Sequence, residues 1–249
     1  NVKALFKTML TSATYRQSAL VTAKKLELDR DNILLSRGPR FRMDAEMVRD
    51  YALAASGLLS STMYGPGTRP YQPEGIWDVV GLPSGNTRKY VQDTGENLYR
   101  RTLYNFWKRM APSPNLDAFN APSREFCTVR RERTNTPLQA LVTLNDPQFV
   151  EAARFLAEKA LSSAGGDDAA TVNYITHRLL CRRLNDQEQA IVLASKKKLL
   201  AYYQSSQDHA LALIAVGASK ADEQLDVAEL AAWTMVCNQL LNLDEVLNK

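Results

Sequence analysis

The chain has 249 residues, of which 45% are hydrophobic and 23% charged, the composition of a soluble globular protein with a substantial core. Its formal net charge of +4 is small for a nucleic-acid-binding protein, so we predict no nucleic-acid partner. The longest apolar run, residues 210–218, is about half the roughly 20 residues that span a membrane. The three cysteines are too few and too scattered for a disulfide framework.

The spacing of apolar side chains predicts helices over residues 1–11, 19–28 and 44–60. In the third, Asp44 and Glu46 favour the amino end of a helix, which carries a partial positive charge. The side chains predicted to face the core from this helix are Met47, Tyr51, Ala54 and Leu58. Because the chain begins without Met and inside a predicted helix, we expect it to be a fragment of a longer polypeptide.

Residues 64–98, here called the excursion, differ in composition from the rest of the chain. Residues 64–95 contain four of the ten prolines and six of the eleven glycines. A loop of about thirty residues is uncommon in a compact domain, and is usually functional or disordered. We predict that the excursion is ordered and packs over the helices, with at most a small β element near residues 77–80. The side chains that we expect to be buried, and that therefore argue against disorder, are Tyr71, Ile76, Trp77, Val79, Val80 and Leu82.

Basic side chains are concentrated in residues 100–133. This segment holds eight Lys or Arg against three acidic residues, so it carries +5 while the remainder of the chain carries −1. The apolar spacing of residues 103–110 fits either a helical stripe or a strand. Three prolines between residues 112 and 122 exclude a long helix before residue 125.

Helix-start signals dominate the rest of the chain. Thr136-Pro137 and Asp146-Pro147 each place a capping side chain before a proline at the first helical position. Asn185 with Glu188, and Asp226 with Glu229, match capping boxes. There is no proline after residue 147, and the connections between the predicted helices are short.

The predicted fold is therefore mainly α, an irregular helical bundle with the long ordered excursion and at most a small β element. We predict one helical domain over residues 1–249, with a C-terminal helical bundle over residues 149–249.

The pattern predicts no metal or haem cofactor in this domain. The only histidines are His177 and His209, and neither C-x-x-C nor H-E-x-x-H occurs. His177 and Cys181 share a helix face, but two ligands do not make a zinc site, and the alternative is a surface histidine beside a buried cysteine. Covalent haem attachment needs C-x-x-C-H, which the chain lacks.

The arginines are the strongest candidates for a ligand-binding site. Arg130, Arg131 and Arg133 precede the helix start at Pro137, whose free N–H groups could complete an anion site. The alternative is structural, with arginines bonded to nearby carbonyls or acids. Aromatic rings could offer a flat surface to a sugar, or serve as buried anchors. The candidate ligand-binding residues are Arg124, Arg130, Arg131, Arg133, Asn135, Gln139, Asn145, Trp107, Trp77 and Tyr71.

Six segments carry a resemblance to a known family. They are SATYRQS (12–18), RGPRFRMDAEMVRDYALAASGLL (37–59), RPYQPEGIW (69–77), RRTLYNFWKRMAPSP (100–114), REFCTVRRERTNTPLQALVTLNDPQFVEAA (124–153) and ELAAWTMVCNQLLNLDE (229–245). They resemble a planctomycete family, domain of unknown function number 1553, which forms the C-terminal domain of large cytochrome-c-associated proteins. The resemblance implies a module of an exported, periplasmic or cell-surface protein, with any haem on other domains. It implies no established reaction.

We expect a binding or docking module, for an anionic glycan or for other domains of the same polypeptide. The alternative is a catalytic domain acting on polysaccharide, with Asp117, Glu125 or Asp146 as its acids. An open cleft with arginines and two paired carboxylates would favour the enzyme, and a cleft with arginines alone would favour binding. Arginines buried in ion pairs would favour a structural role.

Overall fold

A computed structural model describes residues 1–81 and 84–248 of the chain, and within them the fold is mainly α, as predicted. The helices are α1 (Val2–Thr11), α2 (Ala23–Leu28), α3 (Ala45–Ser56), α4 (Pro114–Asp117), α5 (Pro137–Asn145), α6 (Pro147–Ala164), α7 (Asp168–Leu180), α8 (Asp186–Ser205), α9 (Gln207–Ile214), α10 (Val227–Leu241) and α11 (Asp244–Leu247). Two 3-10 helices cover Gly95–Tyr99 and Thr102–Tyr104. Pairing of the strand type is limited, in the described residues, to single bridges at Arg42–Asn248 and Thr68–Asn105.

The chain divides into two compact units, residues 1–42 with residue 248, and residues 43–247. In the first unit, Asn1 caps α1 by accepting a hydrogen bond from the Ala4 N–H at 3.2 Å. None of the side chains of α1 or α2 is buried. Helix α2 starts later than predicted because the Thr22 hydroxyl caps it from outside. The assignment of the whole chain to one domain stays a prediction.

Helices α6 and α10 pack against each other at the centre of the second unit, with α3, α7, α8 and α9 around them. Small side chains on α6 let the two backbones approach closely. Trp233 of α10 is fully buried and fills the remaining space. The fully buried apolar residues of α6 are Ala152, Ala153, Leu156, Ala157 and Ala160.

A buried arginine fixes the chain that enters the basic segment. The Arg49 guanidinium, on α3, donates to Gln148 Oε1 at 2.6 Å and to the carbonyls of Leu98 and Arg100 at 2.7 and 2.8 Å. It also donates to the Thr102 hydroxyl at 3.1 Å. Desolvation by burial lowers the pKa of Arg49 to about 10. This side chain therefore ties α3, α6 and residues 98–102 together.

A buried glutamate attaches the excursion to α6 through hydrogen bonds. The Glu151 carboxylate, on α6, accepts hydrogen bonds from the hydroxyls of Tyr71 and Tyr99 at 2.8 and 2.9 Å. It also accepts from the N–H and hydroxyl of Ser219, both at 2.7 Å. Burial raises the pKa of Tyr71, so its hydroxyl keeps the proton that it donates. The excursion is therefore anchored to the core.

Within the excursion, Trp77 is only 1% exposed, but the predicted burial of Val79 is wrong, since this side chain is 88% exposed. Hydrogen bonds from the Asp78 N–H to the Gly75 carbonyl and from the Val80 N–H to the Trp77 carbonyl form turns rather than a hairpin. Leu82, also predicted to be buried, lies outside the described residues.

The predicted inward face of α3 is only partly correct. Tyr51 and Leu58 pack against the core, as predicted. Met47 and Ala54 are exposed, whereas Val48, Ala52 and Ala55 are buried. The helix carries apolar side chains on two faces, so periodicity alone could not select the one that meets α6. Helix α3 also ends before residue 60, because Gly57 takes a left-handed conformation with a φ of 86°.

Candidate functional site

The basic segment ends in an irregular loop, residues 124–133, here called the arginine loop. Its C-terminal end is held by the start of α3. The Arg131 guanidinium donates two hydrogen bonds to the Glu46 carboxylate, at 2.6 and 3.1 Å, and lies 3.8 Å from Asp44. Arg133 lies 3.4 Å from the same Asp44. The hydrogen bonds with Glu46 raise the pKa of Arg131, so this end of the loop is fixed by a charged pair.

The N-terminal end of the arginine loop is held by an aromatic ring. The Arg124 guanidinium lies 5.1 Å from the centroid of the Trp107 ring, within the range of a cation–π contact. The Trp107 indole N–H donates to the Ser123 carbonyl at 3.0 Å. Arg124 has a φ of 62°, a left-handed backbone that turns the chain sharply at this point.

Between these fixed ends the loop projects its side chains into solvent. Phe126 is 74% exposed and Val129 is fully exposed. Arg130 is exposed and has no ion-pair partner among the residues that the structure describes. Other large apolar side chains of this chain are also exposed, but Phe126 and Val129 stand on a loop whose two ends are fixed.

Beside the arginine loop lies an open groove of about 790 Å³, here called the α3 groove. Its floor is the face of α3 that the sequence assigned to the core, and it includes Met47, Tyr51 and Ala54. Acidic and basic side chains both line it, namely Asp44, Glu46, Asp50, Arg101, Arg124 and Arg131. Because both charges are present, the groove is not a simple anion site.

Each carboxylate of the α3 groove already has partners. Asp50 accepts hydrogen bonds from the N–H and hydroxyl of Thr102 at 2.7 and 2.6 Å, and Arg101 lies 3.6 Å away. Asp44 and Glu46 share Arg131, as described above. Sequence reasoning missed Asp50, although its i, i+4 spacing from Glu46 beside an apolar stripe was a usable signal.

The structure distributes the other candidate residues among different surroundings. Gln139 is buried and donates to the Ala118 carbonyl and the Thr134 hydroxyl, both at 3.1 Å. Trp77 is buried, with the Lys108 ammonium 4.5 Å from its ring centroid. Asn135 is exposed, next to the arginine loop.

A second groove, of about 780 Å³ and here called the α5 groove, separates the excursion from α4 and α5. It brings together two of the candidates, Tyr71 and Asn145, that the sequence places far apart. Its lining residues are Tyr71, Gln72, Pro73, Glu74, Gln92, Pro114, Asn115, Ala118, Leu138, Leu141, Val142, Asn145, Asp146 and Pro147. The excursion therefore lies beside the carboxy-terminal part of the candidate segment.

The acids considered for catalysis lie apart. Asp146 caps α6, where it accepts hydrogen bonds from the Gln148 N–H at 3.0 Å and from Asn115 at 3.1 Å. Desolvation raises the pKa of Asp146. Glu125 is exposed on the arginine loop, 4.0 Å from Arg109, and Asp117 is exposed on α4. The α3 groove, the α5 groove and the two grooves along the arginine loop are each lined by at most one of these three acids.

The suggestion of a buried cysteine beside His177 is wrong, because Cys181 is exposed at the carboxy end of α7. The buried cysteine is Cys237 on α10, and burial raises its pKa. In residues 1–81 and 84–248 there is no group of three or more His, Cys, Asp or Glu side chains placed to hold a metal ion.

Fold and sites together define a mainly α module with several open grooves, one of which, of about 800 Å³, is lined by Arg130, Arg131, Glu132, Arg133 and Thr134 of the arginine loop and the residue after it. The sequence profile of the family described as "PSD1: Protein of unknown function (DUF1553)" matches residues 1–195. The chain belongs to this family. Comparison with curated proteins and with solved structures gives no significant match.

None of the helices in the described residues is long and apolar enough to cross a membrane.

Proposed function

We propose that this chain is a non-catalytic docking module whose arginine loop binds another domain of the same polypeptide. The observation that supports this most is the construction of the loop. Both of its ends are fixed, by Arg131 with Glu46 and by Arg124 with Trp107, while Phe126 and Val129 between them stand in solvent. Holding apolar side chains in water is unfavourable, and a protein partner that covers them removes this cost.

The charges of the loop favour a protein partner over an anionic glycan. Arg131 and Arg133 are engaged by Glu46 and Asp44, which cancel much of their attraction for an anion. Arg130 is the exposed guanidinium left at the tip, next to Val129. An exposed cation beside Phe126 and Val129 on the same loop resembles the centre of a protein interface, where Arg and aromatic residues are enriched.

In the α3 groove, a binding role is favoured over catalysis because this groove offers no unoccupied carboxylate. Asp44, Glu46 and Asp50 all accept hydrogen bonds or ion pairs from the protein. A glycosidase needs two carboxyl groups facing one substrate, one of them available as an acid. We further propose, from the family resemblance, that the polypeptide is exported and that any haem lies on its other domains.

The experiment measures binding between this chain and the separately expressed remainder of the polypeptide. We expect Arg130→Ala and Phe126→Ser each to weaken binding by roughly one to two decades, which corresponds to about 1.5–3 kcal/mol. Their unfolding free energies should stay within about 0.5 kcal/mol of the parent, because both side chains are exposed. Ile191→Ser, at an exposed apolar position on α8, is the matched control and should leave binding unchanged.

Two results would contradict this proposal. Unchanged binding by both loop variants would remove the arginine loop from the interface. Binding of polygalacturonate that is lost in Arg130→Ala, without binding of any other domain, would replace the partner domain by an anionic glycan.

A further inference from the structure

The α5 groove is a second surface that the docking role of the arginine loop does not use. Two leucines of α5 point into it from the solvent side, Leu138 at 58% and Leu141 at 56% exposure. The side chain of Tyr71, on the opposite wall, is held by Glu151, so this wall is rigid. A volume of about 780 Å³ lies in the range, roughly 300–1,000 Å³, of pockets that bind ligands.

Carboxamides surround the apolar part of the α5 groove. Four of its lining side chains are amides, Gln72, Gln92, Asn115 and Asn145. The Gln72 amide nitrogen is buried and has no hydrogen-bond partner in the described part of the chain. Asn115 and Asn145 already donate within the protein, to Asp146 and to the Leu141 carbonyl. Gln72 and Gln92 supply the donors and acceptors that pair with the N–H and carbonyl of a peptide backbone. A rim of this kind suits an extended peptide better than a hydrocarbon chain.

The charged residues that line the α5 groove are all acidic. Two carboxylates, Glu74 and Asp146, line it, and none of its lining residues is Lys or Arg. Glu74 is exposed and can turn toward an occupant. The groove therefore attracts a cation and repels an anionic ligand.

We propose that the α5 groove binds an extended peptide segment that carries apolar side chains and one Lys or Arg. Apolar side chains of the peptide cover Leu138 and Leu141, its backbone pairs with the amide rim, and its basic side chain meets Glu74 and Asp146. This is the combination of main-chain pairing for affinity and side-chain pockets for specificity that peptide-binding grooves use. The site is independent of the arginine loop, so the module could hold two partners at once.

The test is selection of a random heptapeptide display library on the intact chain. We expect the enriched peptides to contain two or more apolar residues and one Lys or Arg. Their binding should fall at least tenfold in Leu141→Arg, which places a bulky cation in the groove. Leu211→Arg, at an exposed position on α9, is the control and should bind as the parent does. Glu74→Gln should weaken the preference for the basic residue by several fold, with no change in melting temperature.

Three outcomes would overturn the proposal. One is the absence of enriched peptides, and another is enrichment of acidic peptides. The third is self-association of the protein in sedimentation that Leu141→Arg abolishes, because this would put a second copy of the chain in the groove. Variants of the arginine loop, such as Arg130→Ala, should leave peptide binding unchanged, so failure here is distinguishable from failure of the docking role.

Discussion

Burial separates the arginines of this chain into two groups with different roles. Arg49 and Arg154 are buried, and each donates several hydrogen bonds to carbonyls, hydroxyls or carboxylates of the core. Arg130 stands in solvent at the tip of the arginine loop. Arg131 lies between these extremes, because its pair with Glu46 is partly exposed. Stability should therefore depend on the first group and binding on Arg130.

Arg49→Met should destabilise the fold strongly. The substitution leaves the carbonyls of Leu98 and Arg100 buried without a donor, and frees residues 98–102 from α3. We expect a loss of about 3–5 kcal/mol in the free energy of unfolding, measured by urea denaturation. Arg183→Met, at an exposed position, is the control and should cost less than about 0.5 kcal/mol. Equal losses in the two variants would show that Arg49 does not hold residues 98–102 to α3.

Glu188 makes stability depend on pH in an acidic window. Hydrogen bonds from Arg182, and then from the Asn185 N–H, lower the pKa of Glu188 from its ordinary 4.5 to about 2. A carboxylate with a lowered folded-state pKa stabilises the fold fully above its unfolded pKa, and loses this contribution as pH falls toward 2. The side chain is 37% exposed, so we discount its effect to less than about 1 kcal/mol.

Glu188→Gln should therefore be less stable than the parent at pH 7, and the difference should shrink between about pH 4.5 and pH 2. Urea unfolding across this range measures it. Glu223→Gln, at an exposed carboxylate on the loop before α10, controls for the loss of one negative charge. A difference that is constant with pH would show that Glu188 does not act through its charge.

At the residue scale, one predicted local contact is correct and another is not, and the distant contacts were not predicted. Asn185 and Glu188 form the predicted capping box, because its partners are three residues apart. The hydroxyl of Thr136, predicted to cap α5, makes no side-chain cap hydrogen bond. The pair of Arg131 with Glu46 joins residues 85 apart in the sequence, which no local pattern encodes.

At the scale of elements, the helices with strong start signals were predicted and the weakly marked ones were not. The proline starts of α5 and α6 are as predicted, because proline fixes the backbone of the first turn. The one-turn helices α4 and α11 are too short to give a periodic signal. Helix α3 was predicted, but Met47 and Ala54 of its predicted inward face are exposed, and this error hid the floor of the α3 groove.

The loop between α9 and α10 packs closely against α6 at Gly217. This residue has a φ of 101°, and a Cβ there would lie 2.5 Å from the Glu151 carboxyl carbon. Four hydrogen bonds hold that carboxylate, so it cannot move aside. Gly166 has a similar φ of 94°, but a Cβ there would meet open space.

Gly217→Ala should therefore cost more stability than Gly166→Ala. We expect about 1–2 kcal/mol for Gly166→Ala, from the left-handed backbone alone. For Gly217→Ala we expect roughly 2–4 kcal/mol, since the clash with Glu151 adds to the same backbone strain. Thermal unfolding of the two variants gives the comparison. Equal losses would show that the loop can shift away from α6.

At the scale of the whole molecule, the absence of cofactor-binding motifs leads to a simple prediction. The chain has two histidines and no C-x-x-C pair, so we expect the purified protein to hold neither haem nor zinc stoichiometrically. Metal analysis and an absorbance scan test this. A Soret band, or one tightly held zinc per chain, would contradict it.

The overall architecture was the most predictable feature, because helix periodicity and capping act within a few residues. The sites were less predictable, because each groove joins segments far apart in the chain. The excursion meets α5 only in the folded protein, where Glu151 anchors Tyr71. Composition marked the arginine loop as unusual, but the exposure of Phe126 and Val129 depends on which neighbours the fold supplies.

The central claim is that the arginine loop contacts another domain, and photo-cross-linking in the intact polypeptide tests it most directly. A photoreactive amino acid is placed at position 126, on the loop, or at position 191, on the exposed face of α8. We expect cross-links from position 126 to residues of one other domain, and few from position 191. An absence of cross-links from position 126, or equal yields from the two positions, would contradict it.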